Sequence, residues 1–176
     1  MRDIKGITAI FTGDGKGKTT AALGVVARAL GHGGRCVVVQ FIKGKQRSGE
    51  HAFAERLAPG LEIVQTGRGF TFLPDVARED HESGALDGLA LAERSLLSGE
   101  CAVVVLDEVL YAIKADLVTV EQVERLMNLR PEHTHLILTG RGAPDRLVEK
   151  ADLVTNMECV KHPMRAGIPA QKCLDY

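Results

Sequence analysis

The sequence predicts an α/β fold built on a mostly parallel sheet with helices on both faces, and three observations carry that prediction. Short β-branched runs alternate with helical stretches along the whole chain. The runs are apolar almost without interruption, as strands buried on both faces must be. No internal repeat is present, so the strands belong to one layered sheet sandwiched by helices. At 176 residues the chain reads as a single domain, because one core is typical of roughly 100–200 residues.

The elements follow in order. "ITAIFT" (7–12) is the first strand, and "GDGKGK" leads from it into a helix running from Lys18 to about Leu30, which "HGG" (32–34) stops. "RCVVVQFI" (35–42) and "LEIVQT" (61–66) are strands separated by a helix over "GEHAFAERL" (49–57). A long helix spans Arg78 to Leu97 and feeds the strand "CAVVVLDE" (101–108). A helix over "VEQVERLMNL" (120–129) ends before Pro131, and "HLILTG" (135–140) is the next strand. A short helix near Asp145 and a strand over "DLVTNMECV" (152–160) complete the pattern.

Composition removes several function classes. The net charge of -1 supplies no sequence-wide basic field, and Lys and Arg are scattered among Asp and Glu, so no nucleic-acid partner is expected. The longest apolar runs fall far short of the ~18 residues of a membrane span. The start, "MRDIKGITAIF", lacks an apolar targeting core, so a cytoplasmic location is expected. Cys36, Cys101, Cys159 and Cys173 form no C-x-x-C pair and have no His at zinc-site spacing. Cys36 and Cys101 open apolar strands and read as inert buried thiols.

The segment "TGDGKGKTTAALG" (12–24) carries the first chemistry. It follows a strand and opens a helix, the context in which G-x-x-x-x-G-K-[ST] binds phosphate. The count is one short, because Thr12 stands where the first glycine belongs and Gly13 comes one residue late. Gly13, Gly15 and Gly17 allow the backbone to turn and aim N–H groups at an oxyanion. Lys18 adds a mobile positive charge, Thr19 or Thr20 can place a hydroxyl on a magnesium ion, and the helix directs its positive end at the phosphates.

The complement of such a loop is an acidic pair at the carboxyl end of a buried strand, where open α/β sheets bind their ligands. Asp107 and Glu108 end "VVVLDE" and fit metal coordination, with Glu108 also able to serve as a base. An acidic turn capping a helix would look the same. The pattern leaves an ATPase, a kinase and a non-catalytic nucleotide switch all open, although the guanine-reading N-K-x-D element is absent.

Six further segments, "VVVQFIKG", "GRGFTF", "VVLDEVLYAI", "LTGRGAP", "ADLVTNMECVKHP" and "AGIPAQKCLDY", combine in order and spacing with the loop. Together they resemble the ATP:corrinoid adenosyltransferases of the CobA/CobO/BtuR type through nearly the whole chain. The resemblance implies a RecA-like P-loop fold and a homodimer that moves the 5′-deoxyadenosyl group of ATP onto the Co(I) of a corrinoid, with a flavoprotein as a possible reductant. It also implies that the shortened loop is normal, with ATP lying reversed and its γ-phosphate deep in the loop.

Carried onto this chain, the resemblance assigns Gly13, Asp14, Gly15, Lys16, Gly17, Lys18 and Thr19 to the triphosphate, with Thr20 assisting at metal or phosphate. Thr19, Asp107 and Glu108 are assigned to Mg²⁺ or Mn²⁺, and Lys18 and Glu108 to catalysis. Arg28 and Arg141 match basic positions of the family; Arg28, nearly three turns into its helix, fits a structural ion pair equally well. Phe70 and Phe72 match an aromatic pair that covers the lower face of the corrin, the second commonly Trp, a residue this chain lacks. On spacing alone the two Phe could be core residues. The polar "KGKQRSGE" (43–50) suits either a lid or a solvated loop.

Overall fold

A computed structural model describes residues 5–44, 47–69 and 76–175. Six parallel strands form one sheet: β1 (Thr8–Thr12), β2 (Arg35–Gln40), β3 (Leu61–Gln65), β4 (Cys101–Asp107), β5 (His135–Thr139) and β6 (Leu153–Asn156). They lie in the order β3-β2-β4-β5-β1-β6. The helices are α1 (Lys18–Gly31), α2 (Gly49–Leu57), α3 (Arg78–Leu97), α4 (Val109–Lys114), α5 (Val120–Leu129) and α6 (Asp145–Lys150), followed by a 3₁₀ turn at Pro163–Ala166.

The near-continuous apolar runs do what their pattern requires. Alternate residues of β1, β2, β4 and β5 enter opposite cores, so Val103 and Val105 of β4 pack with Ala22 and Val26 of α1 and Ala54 of α2. Val104 and Leu106 point the other way, into a larger core with Leu89 and Leu96 of α3, Leu126 of α5 and Leu147 of α6. Cys36 and Cys101 are both buried. Burial pushes the Cys36 thiol up to about 11, in keeping with an inert role.

Local chemistry sets the helix starts. Ser48 and His51 close a reciprocal cap on α2, and Thr119 does so on α5 with Gln122, a polar residue three positions on. No helix among the described residues is long and apolar enough to cross a membrane.

Three elements differ from the sequence reading. β2 stops at Gln40, where the chain leaves the sheet, and β6 is confined to Leu153–Asn156. The third is α4, which no element of the sequence reading covers, although an acidic turn capping a helix is one reading of Asp107–Glu108. It arises because Glu108 adopts a left-handed backbone with φ of 62°, which turns the chain at the sheet edge. Val109, Leu110 and Ala112 are then buried in the larger core.

Candidate active site

Sheet order determines which residues meet. β1 lies between β5 and β6, and β4 flanks β5, so the loop after β1 opens at the edge where β4 and β5 end. The loop comes out one residue short because Thr12 remains in β1. It pairs with Asn156, and its hydroxyl accepts from Ala143 N–H at 3.3 Å.

Gly13 and Gly17 take positive φ values of 99° and 119°, as the turn demands. Gly15 is glycine for another reason. A Cβ there would lie 2.6 Å from the Glu158 carbonyl oxygen, and the Gly15 N–H already donates to Met157 O at 2.7 Å. That amide is spent on the chain behind the loop, while Gly15 itself lines the cavity. A Cβ on Gly13 would meet the same wall, 2.4 Å from Met157 O.

Lys18 curls over the loop, and its ammonium donates to Gly13 O at 2.8 Å and Gly15 O at 2.7 Å. Burial lowers its pKa and Arg141 adds to this, opposed by Glu108, Asp14 and Asp107. Below the loop, Asp107 is fully buried, and its Oδ1 accepts from the Thr19 hydroxyl at 2.7 Å and the Thr139 hydroxyl at 2.8 Å. Thr139 in turn accepts from the Glu108 backbone N–H at 2.9 Å. One hydroxyl of β5 thus joins both members of the acidic pair and helps hold the left-handed turn at Glu108. Burial raises the Glu108 carboxyl, Asp107 raises it further, and Lys18, Arg141 and Lys43 oppose.

A cavity of about 970 Å³ opens over these groups and is lined by loop residues Asp14 to Thr20, with Glu108, Tyr111 and Arg141. Arg141 approaches Asp14 at 3.8 Å across the mouth. Arg28 does not line the cavity; it is exposed on α1 with no ion pair among the described residues. Phe70 and Phe72 lie outside the described residues.

The donor set suits a hard divalent cation held mainly by ligand phosphates and water. Of the predicted metal residues, Thr19 and Glu108 line the cavity. Asp107, with no exposed surface, fits the role of orienting the Thr19 hydroxyl rather than touching the ion. No cluster of three or more His, Cys, Asp or Glu is present among the described residues to hold a metal independently.

Sequence reasoning missed Thr139, Gln40 and Lys43. Gln40 Nε2 donates to Asp107 Oδ2 at 3.4 Å. Gln40 and Thr139 each end an apolar strand with a buried polar side chain, and that position was the available signal. The C-terminal segment, whose "AGIPAQKCLDY" is part of the resemblance, closes one wall. His162, Met164, Cys173, Leu174 and Asp175 line the cavity, and Asp175 pairs with Lys16 at 2.6 Å.

A six-stranded parallel α/β sheet with a glycine-rich loop set against a strand-end acidic pair, both opening on one cavity, defines the class: an α/β protein with its candidate site at the carboxyl edge of the sheet. Within that class, residues 4–176 match the model of the ATP:corrinoid adenosyltransferase family BtuR/CobO/CobP, and the chain belongs to this family of transferases. It is 39% identical to a corrinoid adenosyltransferase of Pseudomonas aeruginosa, covering 99% of this chain and 86% of that one. The corrinoid adenosyltransferase of Escherichia coli K12 is 39% identical over 99% of this chain and 88% of its own. The corrinoid adenosyltransferase CobA of Salmonella typhimurium is 40% identical over 98% and 86%.

Proposed function

We propose that this chain transfers the 5′-deoxyadenosyl group of ATP to the Co(I) centre of a corrinoid. The bond formed is Co–C5′, with both electrons from cobalt; the bond broken is C5′–O, whose pair leaves on inorganic triphosphate. Cobalt is itself the nucleophile, so the residues need only hold C5′ in line and stabilise the departing negative charge. The observation that carries this reading is the Thr19–Asp107–Thr139–Glu108 network beside the loop, in a chain of this family.

Gly13 to Thr20 would take the triphosphate, with Lys18 leaving its loop carbonyls for phosphate oxygens. Thr19 and Glu108 would hold Mg²⁺ or Mn²⁺, which supplies charge neutralisation on the phosphates. Arg141, at the mouth, is free to swing from Asp14 to ligand. Phe70 and Phe72 would exclude the lower axial ligand of cobalt, easing reduction of Co(II) by a flavoprotein. A cytoplasmic homodimer completes the proposal.

The test is anaerobic incubation with ATP and Co(I) corrinoid under strong reductant. Adenosylated corrinoid and triphosphate in equal amounts are expected. ADP and phosphate formed without corrinoid, or an unchanged corrinoid spectrum, would overturn it.

A further inference from the structure

Lys43 has no role in the reading above. It follows β2 and lines the same cavity as Thr19 and Glu108. Its ammonium donates to Glu50 Oε1 at 2.6 Å and lies 3.9 Å from Asp107 Oδ2, beyond hydrogen-bonding distance. An ammonium has three donors. Glu50 takes one, and among the described residues no acceptor takes the other two. By the same count Lys18 has one free donor, because two go to loop carbonyls. Lys16 is paired with Asp175. Lys43 and Lys16 therefore each keep two unspent donors, and of the two it is Lys43 that stands beside the buried Asp107 carboxylate.

The anchor is built for the purpose. Glu50 sits in the first turn of α2 with its side chain 13% exposed, whereas that of Lys43 is 35% exposed. Burial acts to raise the Glu50 carboxyl, but hydrogen bonds from Lys43, Ser48 and its own backbone hold it down at about 2. Glu50 therefore stays a carboxylate at every working pH and fixes the lysine at one end, on the wall of the cavity.

We infer that Lys43 is a second triphosphate-binding cation of this site, contributed by the β2 edge and aimed by Glu50, which acts as a positioning residue. The inference rests on the nucleotide reading of the loop. Its chemical logic is that a polyphosphate carrying several negative charges needs donors on more than one side. The loop and Lys18 serve one side, and Lys43, across the Asp107 carboxylate from Thr19, serves another.

The test is isothermal titration calorimetry of inorganic triphosphate with magnesium on the full chain. Lys43→Met keeps the stem and removes the charge, and should weaken binding on the order of tenfold to a hundredfold, the range for charge-assisted hydrogen bonds. The double variant Lys43→Met/Glu50→Gln removes both charges, so the net charge of the site is that of the wild type and no unpaired carboxylate remains. It should keep the loss. Wild-type affinity in Lys43→Met, or its recovery in the double variant, would overturn the inference and leave Lys43 as a counterion to Glu50. Lys18→Ala, titrated in parallel, separates the two levels. If it weakens binding while Lys43→Met does not, Lys43 alone is excluded; if neither weakens it, the loop reading falls as well.

Discussion

Thr139→Val tests the network that joins the acidic pair. Valine matches threonine in shape, so no cavity forms, and two polar groups lose their partner. The buried Asp107 carboxylate loses one of its hydroxyl donors, and the Glu108 N–H loses its acceptor. Leaving the Glu108 N–H unsatisfied costs about 1.5 kcal/mol, and Asp107, which keeps Thr19, loses one charge-assisted bond of about 1.5 kcal/mol, so the two together cost about 3 kcal/mol. For a domain of this size each kcal/mol moves the midpoint by about 2–4 °C, giving a fall of about 6–12 °C. The left-handed backbone at Glu108, intrinsically unfavourable by about 1–2 kcal/mol, also loses support, so adenosyl transfer should fall further than stability alone explains. Calorimetric midpoints and turnover at a temperature where both proteins are folded would measure the two effects. Thr139→Ser should restore both. An unchanged midpoint in Thr139→Val, or failure of the serine to rescue, would refute the bridging role.

Gly15→Ala should destabilise the fold and abolish ATP binding, because its methyl would lie 2.6 Å from the Glu158 carbonyl; wild-type denaturation and ATP affinity would count against the clamp. Glu50 is held at about 2, below its ordinary 4.5, so its stabilising contribution is complete above 4.5 and is lost as pH falls toward 2. Glu50→Gln should therefore show a shallower loss of urea-midpoint stability across that window, and parallel curves would refute this. Phe70→Ala and Phe72→Ala should reduce four-coordinate Co(II), seen by electron paramagnetic resonance with ATP present, while ATP affinity stays unchanged. Equal losses with chemically generated Co(I), together with a lowered melting midpoint, would make the pair core packing.

Much of this molecule is legible in its sequence because parallel strands buried on both faces cannot hide: "CAVVVLD" and "HLILT" have few other uses. The loop and the Asp107–Glu108 pair are legible because their chemistry lies in adjacent residues. What escapes is the content of strand order. Thr139 acquires its role only because β5 falls between β1 and β4, and Lys43 because β2 lies beside β4. The backbone turn at Glu108 escapes too, since a carboxylate residue gives no local sign of positive φ, and α4 escapes with it. Gly15 reads as loop-forming, but the close approach that also requires glycine there escapes, since the crowding atom belongs to Glu158, far along the chain.

That distant wall has a consequence for synthesis on the ribosome. β1 is made first, yet its sheet partners are β5 and β6, and Ile7 already bonds to a residue 128 positions later. The rear of the loop, Met157 and Glu158, emerges later still. At about 5–20 residues per second, the nascent loop spends on the order of ten seconds without the neighbours that give it shape. Nucleotide therefore has no formed cradle during elongation and cannot template folding of the amino-terminal half. On the proposed reading it would act only after Met157 and Glu158 have left the tunnel, as a clamp on a finished sheet.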